Sequence, residues 1–161
     1  MEKPLRTLFA RLILETAITF EERSYRYYEA ALEKSIMEDS FDLLKKLMGQ
    51  ELYHRIMLEE MQRRGKAGEP KSVNMLGFAD EEPSPEEVDS LCDEWPEISP
   101  RDSKRVILER ALEKERCAYR FYKKMMGRSR SESLRNLFQT LMKEELYHAQ
   151  ALEKELESIA P

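Results

Sequence analysis

Glycine is scarce in this chain, 5 of 161 residues, and runs of β-branched residues are missing. Both shortages argue against a sheet-rich fold, which needs turn glycines and β-formers. The two cysteines, Cys92 and Cys117, form no Cys-x-x-Cys pair. That excludes a zinc ribbon or a comparable thiolate centre within these residues. No stretch approaches the roughly 20 apolar residues a membrane span needs. The N-terminal MEKPLRTLFARLILET is apolar only in patches interrupted by charge, and it lacks the small-residue cleavage site of a secretory signal. A reducing, cytoplasmic setting is the expectation. The net charge is −5 with no basic patch, so nucleic acid is not an expected partner.

Leu, Glu, Lys, Arg, Ala and Met dominate, and all are good helix formers. The expected class is all-α, in one domain over 1–161. Four long helical segments are readable: from near Pro4 to about Ser35, from about Asp39 to Arg64, from Ser99-Pro100 to near Gly127, and from about Ser131 to Ile159. Short polar breaks join the first segment to the second and the third to the fourth, which favours two antiparallel hairpins, about 4–64 and 100–159. Between them, 65–99 is different. GKAGEPK, EEPSPEE and WPEISP carry five of the seven prolines. A connector this long needs a reason. A crossover along the whole bundle supplies one, because each helix is roughly 40 Å long at 1.5 Å per residue. Trp95 would anchor that crossover to the bundle.

The chain also repeats itself. ILETAITFEERSYRYY from Ile13 and ILERALEKERCAYRFY from Ile107 match at eight of sixteen positions. LMGQELYH from Leu47 and LMKEELYH from Leu141 match at six of eight. Both pairs share one offset, 107 − 13 = 141 − 47 = 94. The two hairpins are therefore copies, and a site at the centre of their bundle would be doubled about an approximate two-fold axis.

The apolar seams contain a polar set. On the first segment the seam runs Leu14, Ile18, 21, Tyr25, Tyr28, Leu32, and position 21 is glutamate. On the second it runs Leu44, Leu47, 51, 54, Leu58, Met61, with Glu51 and His54 in the middle. The third has Leu108, Leu112, 115, Tyr119, Tyr122, Met126 around Glu115, and the fourth has Phe138, Leu141, 145, 148, Leu152 around Glu145 and His148. These residues sit where a helical period of 3.6 places core. Uncompensated carboxylates buried there cost several kcal/mol each in effective terms. Two divalent cations offset them, since four negative charges meet four positive ones. Residues i and i+3 share a helical face, so Glu51 with His54, and Glu145 with His148, can each approach one metal. Carboxylate oxygen with imidazole nitrogen suits iron, manganese or zinc better than calcium. One Glu from each of two helices plus Glu-x-x-His from each of the other two is the ligand pattern of di-iron carboxylate bundles. Glu22 and Glu144, beside candidate ligands but off the seams, read as solvated surface. Tyr53 and Tyr147 read as packing over the site or filling core, and Cys117 as a small buried residue.

The combined motif resembles the rubrerythrin branch of the ferritin-like superfamily. That branch carries Glu-x-x-Ala-x-x-x-Tyr on its first and third helices, to which Glu21 through Tyr28 and Glu115 through Tyr122 correspond, and Glu-x-x-His on the others. The resemblance implies a ferritin-like four-helix bundle with a long crossover between helices 2 and 3. It implies two iron ions, with Glu51 and Glu145 bridging and Glu21 and Glu115 terminal, and with Tyr28 and Tyr122 donating hydrogen bonds to ligand carboxylates. Family members have an extra glutamate three residues after the third-helix ligand. Here that position is Ala118 and its counterpart is Ser24, which implies a more symmetric site. The resemblance further implies reduction of hydrogen peroxide or dioxygen in an oxidative-stress role, and a homodimer. Electrons would come from a separate donor such as a rubredoxin or a flavoprotein reductase, because no thiolate centre is carried here. A ferroxidase role in iron handling, and a non-enzymatic metal-stabilised bundle that binds a partner protein, are the alternatives.

Overall fold

The computed structural model describes residues 2–66, 96–129 and 132–159. The helices are α1 (Glu2–Leu32), α2 (Phe41–Lys66), α3 (Lys104–Arg128) and α4 (Glu132–Glu157). A short 3-10 helix, Ser35–Ser40, makes the corner between α1 and α2. Trp95, with the anchoring role expected of it, and Cys92 lie outside the described residues.

Helix ends differ from expectation where local hydrogen bonding competes with the helix. Ser99-Pro100 does not open α3. The Ser99 N–H donates to Asp102 Oδ2 at 2.7 Å, and the Asp102 N–H donates to the Ser99 carbonyl at 3.0 Å, closing a separate turn. The helix starts after Ser103, whose hydroxyl accepts the Val106 N–H at 3.2 Å. That is an N-cap, satisfying one of the donors a helix start leaves without an intrahelical partner. At the other corner α1 stops at Leu32 instead of Ser35, and α2 runs through Gly65 to Lys66.

Two apolar clusters fill the bundle, one towards each end. The first joins Ile13, Leu14 and Phe20 of α1 to Leu58 of α2, Phe121 and Met125 of α3, and Leu134 and Phe138 of α4. The second joins Tyr28 and Ala31 of α1 to Leu44 and Leu47 of α2, Ile107 and Leu108 of α3, and Ala149 and Leu152 of α4. Reading each helix from its start, α1 and α4 run from the first cluster to the second. α2 and α3 run the other way. α2 therefore ends opposite the point where α3 begins, and the connection between them has to return along the bundle. This is the ferritin-like arrangement of two antiparallel hairpins with parallel second and third helices.

Burying a Leu or Phe side chain stabilises by about 1.5–3 kcal/mol, so the two clusters supply the main driving force. On α2 and α4 the seam residues Leu44, Leu47, Leu58, Phe138, Leu141 and Leu152 are buried as expected, and Met61 is only partly so. The α1 seam is wider than a single 3–4 row. Ile13, Ala17, Phe20, Ser24, Tyr27 and Ala31 are buried, while Ile18, Tyr25 and Leu32 are only partly so. α1 faces both α2 and α3, and two neighbours require a broader apolar stripe. One buried cation interrupts the repeat: Lys114 stands where the first copy has Phe20. Its ammonium lies 4.5 Å from the centroid of the Tyr27 ring, and burial pulls its pKa down to about 8.

Candidate metal centre

Between the two apolar clusters lies a polar layer. Glu21, Glu51, His54, Glu115, Glu145 and His148 are all buried, none more than 2% exposed. Each helix contributes where its seam crosses the bundle centre: α1 gives Glu21, α2 gives Glu51 and His54, α3 gives Glu115, and α4 gives Glu145 and His148.

The six side chains fall into two overlapping groups. Glu21, Glu51, His54 and Glu145 present ligand atoms within 4.8 Å of one another, and so do Glu51, Glu115, Glu145 and His148. Glu51 and Glu145 belong to both groups, whereas Glu21 and Glu115 each belong to one. Glu145 spans the pair directly. Its Oε1 lies 3.0 Å from His54 Nδ1 and its Oε2 lies 3.1 Å from His148 Nδ1. His148 Nδ1 is also 3.1 Å from Glu51 Oε1 and 3.3 Å from Glu115 Oε2, and His54 Nδ1 is 3.6 Å from Glu21 Oε2.

Apart from His148 Nδ1 with Glu115 Oε2, most of this proximity is not hydrogen bonding. Both carboxylate oxygens of Glu51 and of Glu145, together with Glu21 Oε2 and His54 Nδ1, are buried without a hydrogen-bond partner. Buried polar atoms are almost always satisfied, and orphaning several at one point is costly. The orphaned atoms face one another and are oxygen and nitrogen donors of the kind that iron, manganese and zinc accept. The residues fit a metal pair: the two groups are able to chelate one ion each while sharing two carboxylates.

Electrostatics in this layer follow from crowding. Burial, then the charges of Glu115, Glu145 and Glu21, holds the Glu51 carboxyl far above its ordinary value. Burial and Glu21 push Glu145 up to about 7. Burial also works to raise Glu115, but the His148 imidazole beside it, with the Tyr28 hydroxyl, outweighs it and brings the carboxyl down to about 2. Burial disfavours the charged imidazoles, yet the surrounding carboxylates prevail and raise both His54 and His148. Two like-charged sets this close persist through shared protons or through cations.

The next layer is crossed between hairpins. The Tyr28 hydroxyl of α1 donates to Glu115 Oε1 of α3, and the Tyr122 hydroxyl of α3 donates to Glu21 Oε1 of α1. Ala118 and Ser24, three residues after Glu115 and Glu21, are buried and bring no further carboxylate to the layer. Sequence reasoning placed Glu144 on the solvated surface, and the structure corrects this. Glu144 is a third exposed but reaches in from α4 to His54 Nε2 at 2.5 Å. The signal was present in the repeat: position 144 is Glu where its counterpart 50 is Gln. Glu22 is also tied in place, to Arg55 of α2 and at 3.0 Å to Arg26. Tyr53 and Tyr147 neither cover the site nor fill core, being 56% and 69% exposed. Cys117 is half-buried, with its sulfur 3.2 Å from Arg120 Nη2.

The fold and this layer define a ferritin-like four-helix bundle with two Glu/His-rich sites able to bind a di-metal cluster. No family model, curated protein or solved structure matches the chain, so the assignment stands on its own geometry. Among the described residues no helix is long and apolar enough to cross a membrane.

Proposed function

We propose that this chain is a single-domain, rubrerythrin-like non-haem di-iron oxidoreductase that reduces hydrogen peroxide or dioxygen. The observation that carries the reading is the pair of overlapping donor groups with buried, orphaned oxygens and nitrogens at their centre. Glu51 and Glu145 are the shared ligands. Glu21 with His54 completes one position, and Glu115 with His148 completes the other.

Reducing hydrogen peroxide to two waters takes two electrons and two protons. Held by these residues, an iron pair would supply the two electrons, one from each ion. The protein's own part is geometric and electrostatic. The Tyr28 and Tyr122 hydroxyls lock the Glu115 and Glu21 carboxylates, so those oxygens face inward without reorganising. The apolar clusters on both sides exclude bulk water. Four carboxylates stabilise the higher positive charge of the oxidised ions, which makes the reduced pair a good donor. Electrons return from a separate protein such as a rubredoxin or a flavoprotein reductase, in a cytoplasmic setting, and the working form is a homodimer.

Anaerobic loading with ferrous iron, followed by peroxide and visible absorbance, tests the reading. Rapid two-electron oxidation that a reductant reverses is the expected result. Oxidation by dioxygen with release of ferric iron would point to ferroxidase chemistry. Slow or absent oxidation, with zinc retained in preference to iron, would assign the centre to structure alone.

A further inference from the structure

The six inner side chains are nearly symmetric about the repeat, but the groups behind the two histidines are not. Both imidazoles turn Nδ1 towards the shared carboxylates, leaving Nε2 on the far side. Behind His54, Nε2 meets the Glu144 carboxylate at 2.5 Å. Behind His148, Nε2 is buried with no hydrogen-bond partner. The residue equivalent to Glu144 is Gln50, since 144 − 94 = 50.

A carboxylate behind a ligating histidine does three things. It fixes the tautomer that leaves the inner nitrogen free for metal, it holds the ring in plane, and it makes the imidazole a stronger donor. We infer that Glu144 is a positioning residue for His54 that makes the two metal positions unequal. The position formed by Glu21, Glu51, His54 and Glu145 binds its ion first and more tightly. The position completed by His148 fills second and releases its ion first. This rests on the di-metal reading and adds to it an order of filling. The duplication alone gives no such order, because it supplies the same inner ligands to both halves.

Cobalt(II) titration of the metal-free full chain against a competing chelator, with visible absorbance read at each step, tests this. The wild type is expected to take up cobalt in two steps about tenfold or more apart. In E144A the His54 position, followed by the shift of its own absorption band, weakens roughly 10–100-fold, so the two steps merge or reverse their order, while the His148 position changes less. E144Q keeps an acceptor oxygen without the charge and falls between. Q50E places a carboxylate at the equivalent position behind His148 and tightens the weaker step. Should E144A not fold, E144Q and Q50E read the same ordering. Equal steps in the wild type overturn the inference, as does an E144A titration with both steps unchanged or weakened alike. A wild-type protein that takes up no cobalt overturns the di-metal reading as well, and that result is distinct from two equal steps.

Discussion

His54 and His148 lie face to face across the bundle centre, ring centroids 5.3 Å apart and only 10° from parallel, with Glu145 reaching both. They come from α2 and α4, which meet there in antiparallel sense, so a copy of one motif faces the other. A single carboxylate between two imidazoles is an arrangement that two cations stabilise and that metal-free side chains hold only through shared protons.

Removing a shared carboxylate should remove the centre. Glu51→Ala or Glu145→Ala is expected to lose most of both metals, because each residue belongs to both donor groups. Metal analysis after anaerobic purification checks this, and two metals retained per chain in either variant would refute the sharing. Glu21→Ala, which touches one group, should spare about half of the bound metal.

The metal-free protein should respond in the opposite sense. Glu51 is buried among like charges with no hydrogen bond to either oxygen. At neutral pH the metal-free fold must hold a proton on Glu51 that the unfolded chain releases, so a neutral side chain of the same shape is expected to be neutral or to stabilise that fold by about 1–4 kcal/mol. Urea unfolding of metal-free Glu51→Gln measures it. A large loss of stability would mean that Glu51 is compensated by the protein itself.

The crossed tyrosines should matter to both halves equally. Tyr122→Phe and Tyr28→Phe each delete a hydroxyl that donates to a buried carboxylate across the hairpins. Hydrogen bonds to charged groups contribute about 1.5–3 kcal/mol, and a similar loss is expected for each variant. Their double variant should deviate from additivity, because both bonds end in one coupled charge cluster.

Stability of the metal-free protein should fall as pH rises from about 4.5. Glu145 is raised to about 7 and Glu51 is raised further. Folded protein then holds protons that the unfolded chain releases above its ordinary carboxylate range. The raised histidines extend the decline: their contribution is complete below about 6.5 and is lost as pH climbs towards their folded values. Glu115, lowered to about 2, acts the other way, and its contribution is lost only as pH drops below about 4.5. Metal uptake requires deprotonated ligands and strengthens with pH. The gap in melting temperature between loaded and metal-free protein should therefore be wider at pH 8 than at pH 6, by calorimetry.

A local prediction tests the start of α3. Ser103→Ala removes the cap on Val106 N–H and should cost about 0.5–2 kcal/mol without touching metal content. Ser99→Ala, in the preceding turn, should cost less.

The sequence by itself determined the helices, the duplication and the six inner residues, because a 3.6-residue period fixes which positions of a helix share a face. Glu51 and His54, or Glu145 and His148, cannot leave the seam without taking Leu47, Leu58, Leu141 and Leu152 with them. The tertiary structure decided what lies between helices. It made Glu145 span both histidines, sent Tyr28 and Tyr122 across to the opposite copy, turned Tyr53 and Tyr147 outward, and brought Glu144 behind His54. Periodicity specifies direction around one axis only. Which side chain reaches a neighbour depends on the spacing and rotation of packed helices, set by the apolar clusters on either side of the site.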